Sequence, residues 1–355
     1  MTAVDNSDAL ARVRAALTRA LLPGFAPTAD IQPMPGGAST RKFFRVSSPE
    51  GALVAMYVPA PSQEINKARQ AQTTAPFVEV HGLLEAAAVR VPRLLAHDPD
   101  LQILLVEDLG DDTLAEFLKR SPGAREGLYR SAVRALAETQ NRLSDLPEAS
   151  VVRRRAFDQD LLSWEMDHFL EYALLERGLV PSAADVLVFE RARDWLTSEI
   201  ASWPRVFVHR DYQSRNLMIA DVERDELAWI DFQDAMLGPR VYDLVALLTD
   251  SYQTFERPFV LERLRDYADA SGRPEDFERI QLEFDLVTVQ RKLKDAGRFV
   301  FLNKVNGMPH FLPYVEPTID KVFAALERLA DFEQLAELHE MLARVTGRPR
   351  ASNGG

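Results

Sequence analysis

Two short stretches carry side chains that together suit the movement of a phosphoryl group. The apolar run Val206-Phe207-Val208 ends in His209-Arg210-Asp211, and Asn216 follows five residues after Asp211. Fifteen residues beyond Asn216, the run Leu227-Ala228-Trp229-Ile230 ends in a second acid, Asp231. Phosphoryl transfer from ATP needs a carboxylate that orients the attacking hydroxyl and takes its proton. It also needs hard oxygen donors that hold Mg2+ against the phosphates. Asp211 has the place of the proton acceptor, and Asn216 and Asp231 are suitable Mg2+ donors. One acid at a strand end is ordinarily a turn or cap residue. The ordered set, with two strand-end acids and an Asn at fixed spacing, is what lifts these residues above that explanation. His209 reads as a loop-orienting residue and not as a proton carrier.

Composition narrows the alternatives. The 355 residues hold 42 Lys+Arg and 54 Asp+Glu, a formal net charge of −12, so a broad electrostatic nucleic-acid binder is poorly supported. There is no cysteine, which excludes disulfides, thiolate catalysis and Cys-ligated zinc or iron–sulfur clusters. The six histidines form no His-x-x-x-His pair. No apolar run reaches the roughly 18 residues of a membrane span. Met1 to Leu22 is interrupted by Asp5, Asp8, Arg12, Arg14 and Arg19 and lacks a signal peptide's apolar stretch. The expected address is the cytoplasm.

The elements that must position these residues follow from periodicity. Residues 7–22 read as an amphipathic helix through Leu10, Val13, Leu17 and Leu21, ended by Pro23-Gly24. Residues 30–58 alternate as strands, with Phe43 to Val46 and Leu53 to Val58 forming a hairpin. A helix is expected within 66–89, then short strands over Val91–Ala96 and Ile103–Glu107. Helices follow over 124–143, 157–177 and 183–202, the last with Ser182 as its N-cap. Three short strands, Val206–His209, Leu217–Ala220 and Leu227–Phe232, precede helices over 239–253, 256–270 and 274–304, with two more within 316–346. The expectation is an α+β fold: an N-terminal helix (1–29), a small β-rich lobe (30–109), a larger helical lobe (110–346) and a disordered tail (347–355). The site is expected between the lobes.

The pattern His209-Arg210-Asp211-Tyr212-Gln213-Ser214-Arg215-Asn216, followed by Ile230-Asp231-Phe232-Gln233, parallels the kinase catalytic motifs H-R-D-L-x-x-x-N and D-F-G. It resembles the aminoglycoside-phosphotransferase and choline-kinase branch of the protein-kinase-like fold. Within that branch it is most similar to bacterial kinases of the anomeric hydroxyl of N-acetylmuramate and N-acetylglucosamine. The closer likeness is carried by Gln233-Asp234-Ala235, Gly238-Pro239, Tyr242-Asp243-Leu244-Val245 and the late block Gln290-Arg291-Lys292-Leu293-Lys294 with Gly297. Only eleven residues separate Asp231 from Asp243, which leaves no room for a peptide-docking segment. Asp243 is expected to anchor the catalytic loop.

The resemblance implies ATP and Mg2+ as cofactors and a small sugar as substrate, with a role in cell-wall sugar recycling. It makes Gly36, Gly37, Ser39, Thr40 and Arg41 a phosphate loop, although Gly-Gly alone suits an ordinary hairpin turn. Backbone groups near Glu107 and Leu109 would read adenine at the lobe hinge. Asp108, Asp111 and Asp112 just beyond read as a solvated turn. The substrate would meet Asp211, Arg215, Asp234 and Arg291. Arg215 serves equally as a phosphate partner or a structural ion pair. Where kinases carry a strand lysine, the chain has Met56, so Arg41, Lys42 or Lys67 must supply that charge. An anomeric hydroxyl is more acidic than an ordinary alcohol, which eases proton transfer to a carboxylate. The alternatives are a kinase of another small alcohol (an aminoglycoside, choline or homoserine) and a nucleotide-binding pseudokinase.

Overall fold

The computed structural model describes residues 6–22, 25, 29–35, 40–49, 51–59, 75–251 and 253–348. Nine strands occur among them: β1 (Asp30–Pro33), β2 (Lys42–Ser48), β3 (Gly51–Tyr57), β4 (Leu94–Asp98), β5 (Ile103–Glu107), β6 (Arg205–Val208), β7 (Leu217–Asp221), β8 (Glu226–Trp229) and β9 (Met236–Pro239). The chain forms two compact units, residues 1–117 with 217–234 and residues 118–216 with 235–355. No helix of the described residues is long and apolar enough to cross a membrane.

The first unit is built on an antiparallel sheet in the order β1-β2-β3-β5-β4. Alternate residues of a strand share a face, so Phe44 and Val46, Leu53 and Ala55, and Ile103 and Leu105 form one apolar layer. The helix Ser7–Ala20 closes that layer with Ala9, Val13, Ala16 and Leu17, at the spacing of a single helical face. Each larger side chain of the layer, such as Val13, Leu17 or Phe44, contributes roughly 1.5–3 kcal/mol when fully buried. Met56 falls out of step with this layer. It is buried on β3, where it pairs with Phe43 and Leu104. The β7–β8 hairpin also belongs to this unit: the Ile219 N–H donates to the Asp112 carbonyl and the Trp229 N–H to the Arg90 carbonyl.

The second unit is helical. Its axis is the helix Phe277–Asn306, whose middle is buried on nearly every side. Around it pack the helices Gln159–His168 and Val315–Arg328. The helix Ala183–Ser202 begins at the N-cap expected at Ser182, and the structure adds a capping box completed by Asp185. The short ladder β6–β9 carries the chain into the loop that holds Asp211 and Asn216.

Several expected boundaries are corrected. The segment expected as one helix over 157–177 is α-helical only for Gln159–His168, then widens into a π-helical turn over Phe169–Leu174 and a 3-10 turn over Leu175–Arg177. That widening begins where the helix Phe277–Asn306 comes closest: a Cβ at Gly297 would stand 2.3 Å from the His168 carbonyl oxygen. Strand β9 adds a fourth short strand, masked in the sequence by Gly238-Pro239. It shortens the helix expected over 239–253 to Tyr242–Leu248. β4 starts at Leu94 and not at Val91, because Pro92 removes a ladder donor. The expected helix over 66–89 is present as Ala75–Ala86, residues 66–74 lying outside the described residues. Of the expected tail, residues 349–355 likewise lie outside them.

Candidate active site

One group of the predicted residues lies in the second unit, on the loop after β6. Arg210, directly after β6, has a left-handed backbone with φ 79°. A non-glycine residue there costs on the order of 1–3 kcal/mol and persists only where its surroundings over-determine it. Asp243, at the start of the helix Tyr242–Leu248, accepts the His209 N–H at 2.6 Å and the Arg210 N–H at 2.9 Å. Arg291 donates to the Arg210 carbonyl at 2.9 Å. Arg210 is thus held through both its N–H and its carbonyl. Asp243 therefore occupies the anchoring position the sequence indicates. Burial raises its carboxyl to about 7, against the opposing pull of the His209 N–H, Arg291 and the Arg210 N–H.

Past Asp211 the loop folds back on itself. Gln213 N–H donates to the Asp211 carbonyl, and Asn216 Nδ2 donates to the same oxygen at 2.8 Å. This bond uses the amide's nitrogen side, so the Asn216 oxygen is the atom suited to a cation. Ser214 is tied to Asp250 through both its N–H and its hydroxyl, and the buried Tyr212 hydroxyl donates to the Ala132 carbonyl. Asp211 keeps 41% of its side chain exposed and stands 3.8 Å from Arg291 Nη2. Arg215 is exposed on the loop, and Arg291 is fully buried.

A second group of the predicted residues lies in the first unit. Asp231 also has a left-handed backbone, φ 63°. The next residue, Phe232, packs on Phe77 of the helix Ala75–Ala86 at a ring separation of 4.8 Å, with His81 beside it. Arg41, almost fully buried, donates to Asp231 Oδ1 at 2.7 Å and to Asp234 Oδ2 at 3.0 Å. Gln233 Nε2 donates to the same two carboxylates. The structure thus brings together Arg41, Asp231 and Asp234 in one group, and Asp211, Asn216 and Arg291 in the other.

The remaining predicted residues divide. Thr40 lies directly ahead of Arg41, while Gly36, Gly37, Ser39 and Lys67 lie outside the described residues. Glu107 is committed to its own sheet: its N–H donates to the Arg93 carbonyl, and its carboxylate accepts from Arg90 and the Arg93 N–H. Those bonds hold its carboxyl below the ordinary range, although burial pulls the other way. Leu109 is half-buried in the irregular segment after β5. Asp108 and Asp111 are not merely solvated: Arg45 of β2 binds both, reaching Asp108 at 2.6 Å and Asp111 at 2.8 Å. Glu165 was not singled out by sequence. It is buried, stands 3.5 Å from the Arg210 guanidinium and accepts from Gln290 at 3.2 Å. As one acid among many on a periodic helix, it gave no signal.

Among the described residues, no three His, Cys, Asp or Glu side chains cluster as a ready-made metal cage. Asn216 and Asp231 each carry a hard oxygen of the kind that Mg2+ takes beside its waters and phosphate.

The sequence profile of the phosphotransferase enzyme family matches residues 30–282, and the chain belongs to that family. Within it, the N-acetylmuramate/N-acetylglucosamine kinase of Pseudomonas aeruginosa is 35% identical over 329 residues, covering 91% of this chain and 90% of the relative. A Pseudomonas putida relative of the same name is 32% identical over 335 residues, covering 92% of each. Among solved structures, choline kinase from Cryptosporidium parvum superposes with a TM-score of 0.61 at 10% identity, covering 95% of this chain and 99% of the other. The gentamicin complex of APH(2″)-IIa gives 0.59 at 14% identity, covering 90% and 97%. At such identities the likeness shows the fold, which is the protein-kinase-like α+β fold.

Proposed function

We propose that this phosphotransferase moves the γ-phosphoryl group of ATP onto the anomeric hydroxyl of an N-acetylated amino sugar, N-acetylmuramate or N-acetylglucosamine. The reading is carried by relatives of that name at 35% and 32% identity over about nine-tenths of the chain. The product is a sugar 1-phosphate, which suits a role in recycling cell-wall sugars in the cytoplasm.

Asp211 orients the sugar hydroxyl and accepts its proton as the oxygen attacks phosphorus. The doubly held Arg210 backbone fixes the direction from which that carboxylate approaches. Asn216 and Asp231 supply oxygens for Mg2+, which when bound neutralises charge on the phosphates. Arg41 provides the cation that Met56 cannot, and Arg215 contributes charge at the exposed loop. Thr40, with Gly36, Gly37 and Ser39, serves the phosphates. The segment around Glu107 and Leu109 serves the adenine, and Asp234 the sugar.

The test is ADP release by purified protein with Mg-ATP and a panel of N-acetylglucosamine, N-acetylmuramate, choline, homoserine and aminoglycosides. Turnover is expected with the two N-acetylated sugars, and Asp211→Asn is expected to lower it by about 100-fold or more. Turnover confined to aminoglycosides, or ATP binding with no acceptor at all, overturns the reading.

A further inference from the structure

Arg291 has an arrangement that a substrate contact does not explain. It is fully buried at the centre of the helix Phe277–Asn306, with 0% of its surface exposed. One guanidinium nitrogen, Nη1, holds the Arg210 carbonyl. The face of the group lies over the Tyr242 ring at 4.6 Å. Nε and Nη2 have no hydrogen-bond acceptor among the described residues. Two carboxylates stand just beyond bonding distance: Asp211 is 3.8 Å from Nη2, and Asp295 is 3.9 Å from Nε.

Burying a guanidinium with unmet N–H groups is costly, and a well-packed apolar side chain would avoid that cost. Burial opposes the charge, but Tyr242, Asp295 and Asp211 more than restore it, so Arg291 stays protonated. Neighbouring Lys292 is equally buried and shares Asp295, at 2.8 Å. The feature that sets Arg291 apart is its reach to Asp211 and to the strained residue before it.

We infer that Arg291 is a positioning residue for Asp211. Its guanidinium pins the carbonyl of the left-handed Arg210, and its charge, 3.8 Å from an Asp211 carboxylate oxygen, sets the direction in which that carboxylate faces. This rests on Asp211 being the proton acceptor. It replaces the substrate contact that the sequence suggests for Arg291.

Two variants separate the parts of this role. Arg291→Gln can still donate to the Arg210 carbonyl but carries no charge. Arg291→Lys keeps the charge and loses the planar fork. Lys292→Met serves as the control for damage to the buried helix. Values of kcat and of KM for each substrate are measured with Mg-ATP and N-acetylglucosamine. Circular dichroism and thermal unfolding report the folded fraction.

Arg291→Gln is expected to lower kcat about 10- to 100-fold while both KM values stay within about threefold. Arg291→Lys, which keeps the charge near Asp211, is expected to recover part of that kcat. Lys292→Met changes only the melting temperature. A loss confined to the sugar KM would make Arg291 a substrate contact and overturn the inference. So would an Arg291→Lys protein no more active than Arg291→Gln, or a Lys292→Met protein that shows the same fall in kcat. If Asp211→Asn keeps full turnover, the acceptor assignment itself falls. If Asp211→Asn is inactive while Arg291→Gln matches wild type, the role of Arg291 alone is wrong.

Discussion

At the scale of single residues, charge is placed where ordinary pairing rules alone would not put it. Arg41 sits on Asp231 and Asp234 with Gln233 completing the set, so the carboxylate assigned to Mg2+ already holds a cation. A metal arriving at Asp231 must compete with that guanidinium, and an arriving phosphate would offer Arg41 another anion to hold. Arg41→Met is therefore expected to tighten Mn2+ binding in the absence of nucleotide, read from the free-ion electron paramagnetic resonance signal. The same variant should raise the KM for ATP by about tenfold, the equivalent of one lost charge-assisted contact. Unchanged Mn2+ affinity would show that Arg41 does not occupy the metal's place. None of this pairing was legible from the chain, because Arg41 and Asp231 lie 190 residues apart and long-range ion pairs leave no periodic trace. Asp211, Asn216 and Asp231 were legible because the chemistry needs those residue types at local, countable spacings.

At the scale of elements, the short helix Tyr242–Leu248 acts through its first turn. Both oxygens of Asp243 are spent on the two N–H groups that enter the catalytic loop. Its carboxyl lies near 7 in the folded protein, against an ordinary value near 4. The native state therefore binds this proton more tightly than the unfolded chain does. The resulting contribution to stability is complete below about pH 4 and is lost as pH rises through about 7. Asn at this position cannot titrate, so the melting-temperature gap between wild type and Asp243→Asn should narrow from pH 5 to pH 8. A gap that widens over that range would mean that the ionised form is the favoured one. Helix interiors and the β2–β3 hairpin were readable because their apolar spacing is regular. The π-helical turn and β9 were not, since one depends on a neighbouring helix and the other is four residues long.

At the scale of the whole molecule, the net charge of −12 sets a long-range field that repels ATP even though local cations receive it. Screening should therefore help. Raising ionic strength from about 0.01 M to 0.15 M shortens the screening length from about 30 Å to 8 Å. Stopped-flow association of a fluorescent ATP analogue is expected to quicken over that range, the reverse of a nucleic-acid binder's response. Slower association at higher salt would mean that the local cations govern the approach. The close seat of Gly297 on the His168 carbonyl has its own consequence for anyone recombining this chain with its relatives. The two segments are a lock and key separated by more than a hundred positions, so a crossover between them exchanges one half of a fitted pair. Hybrids that inherit residues 159–174 and 277–306 from the same parent are the ones that keep this part of the fold.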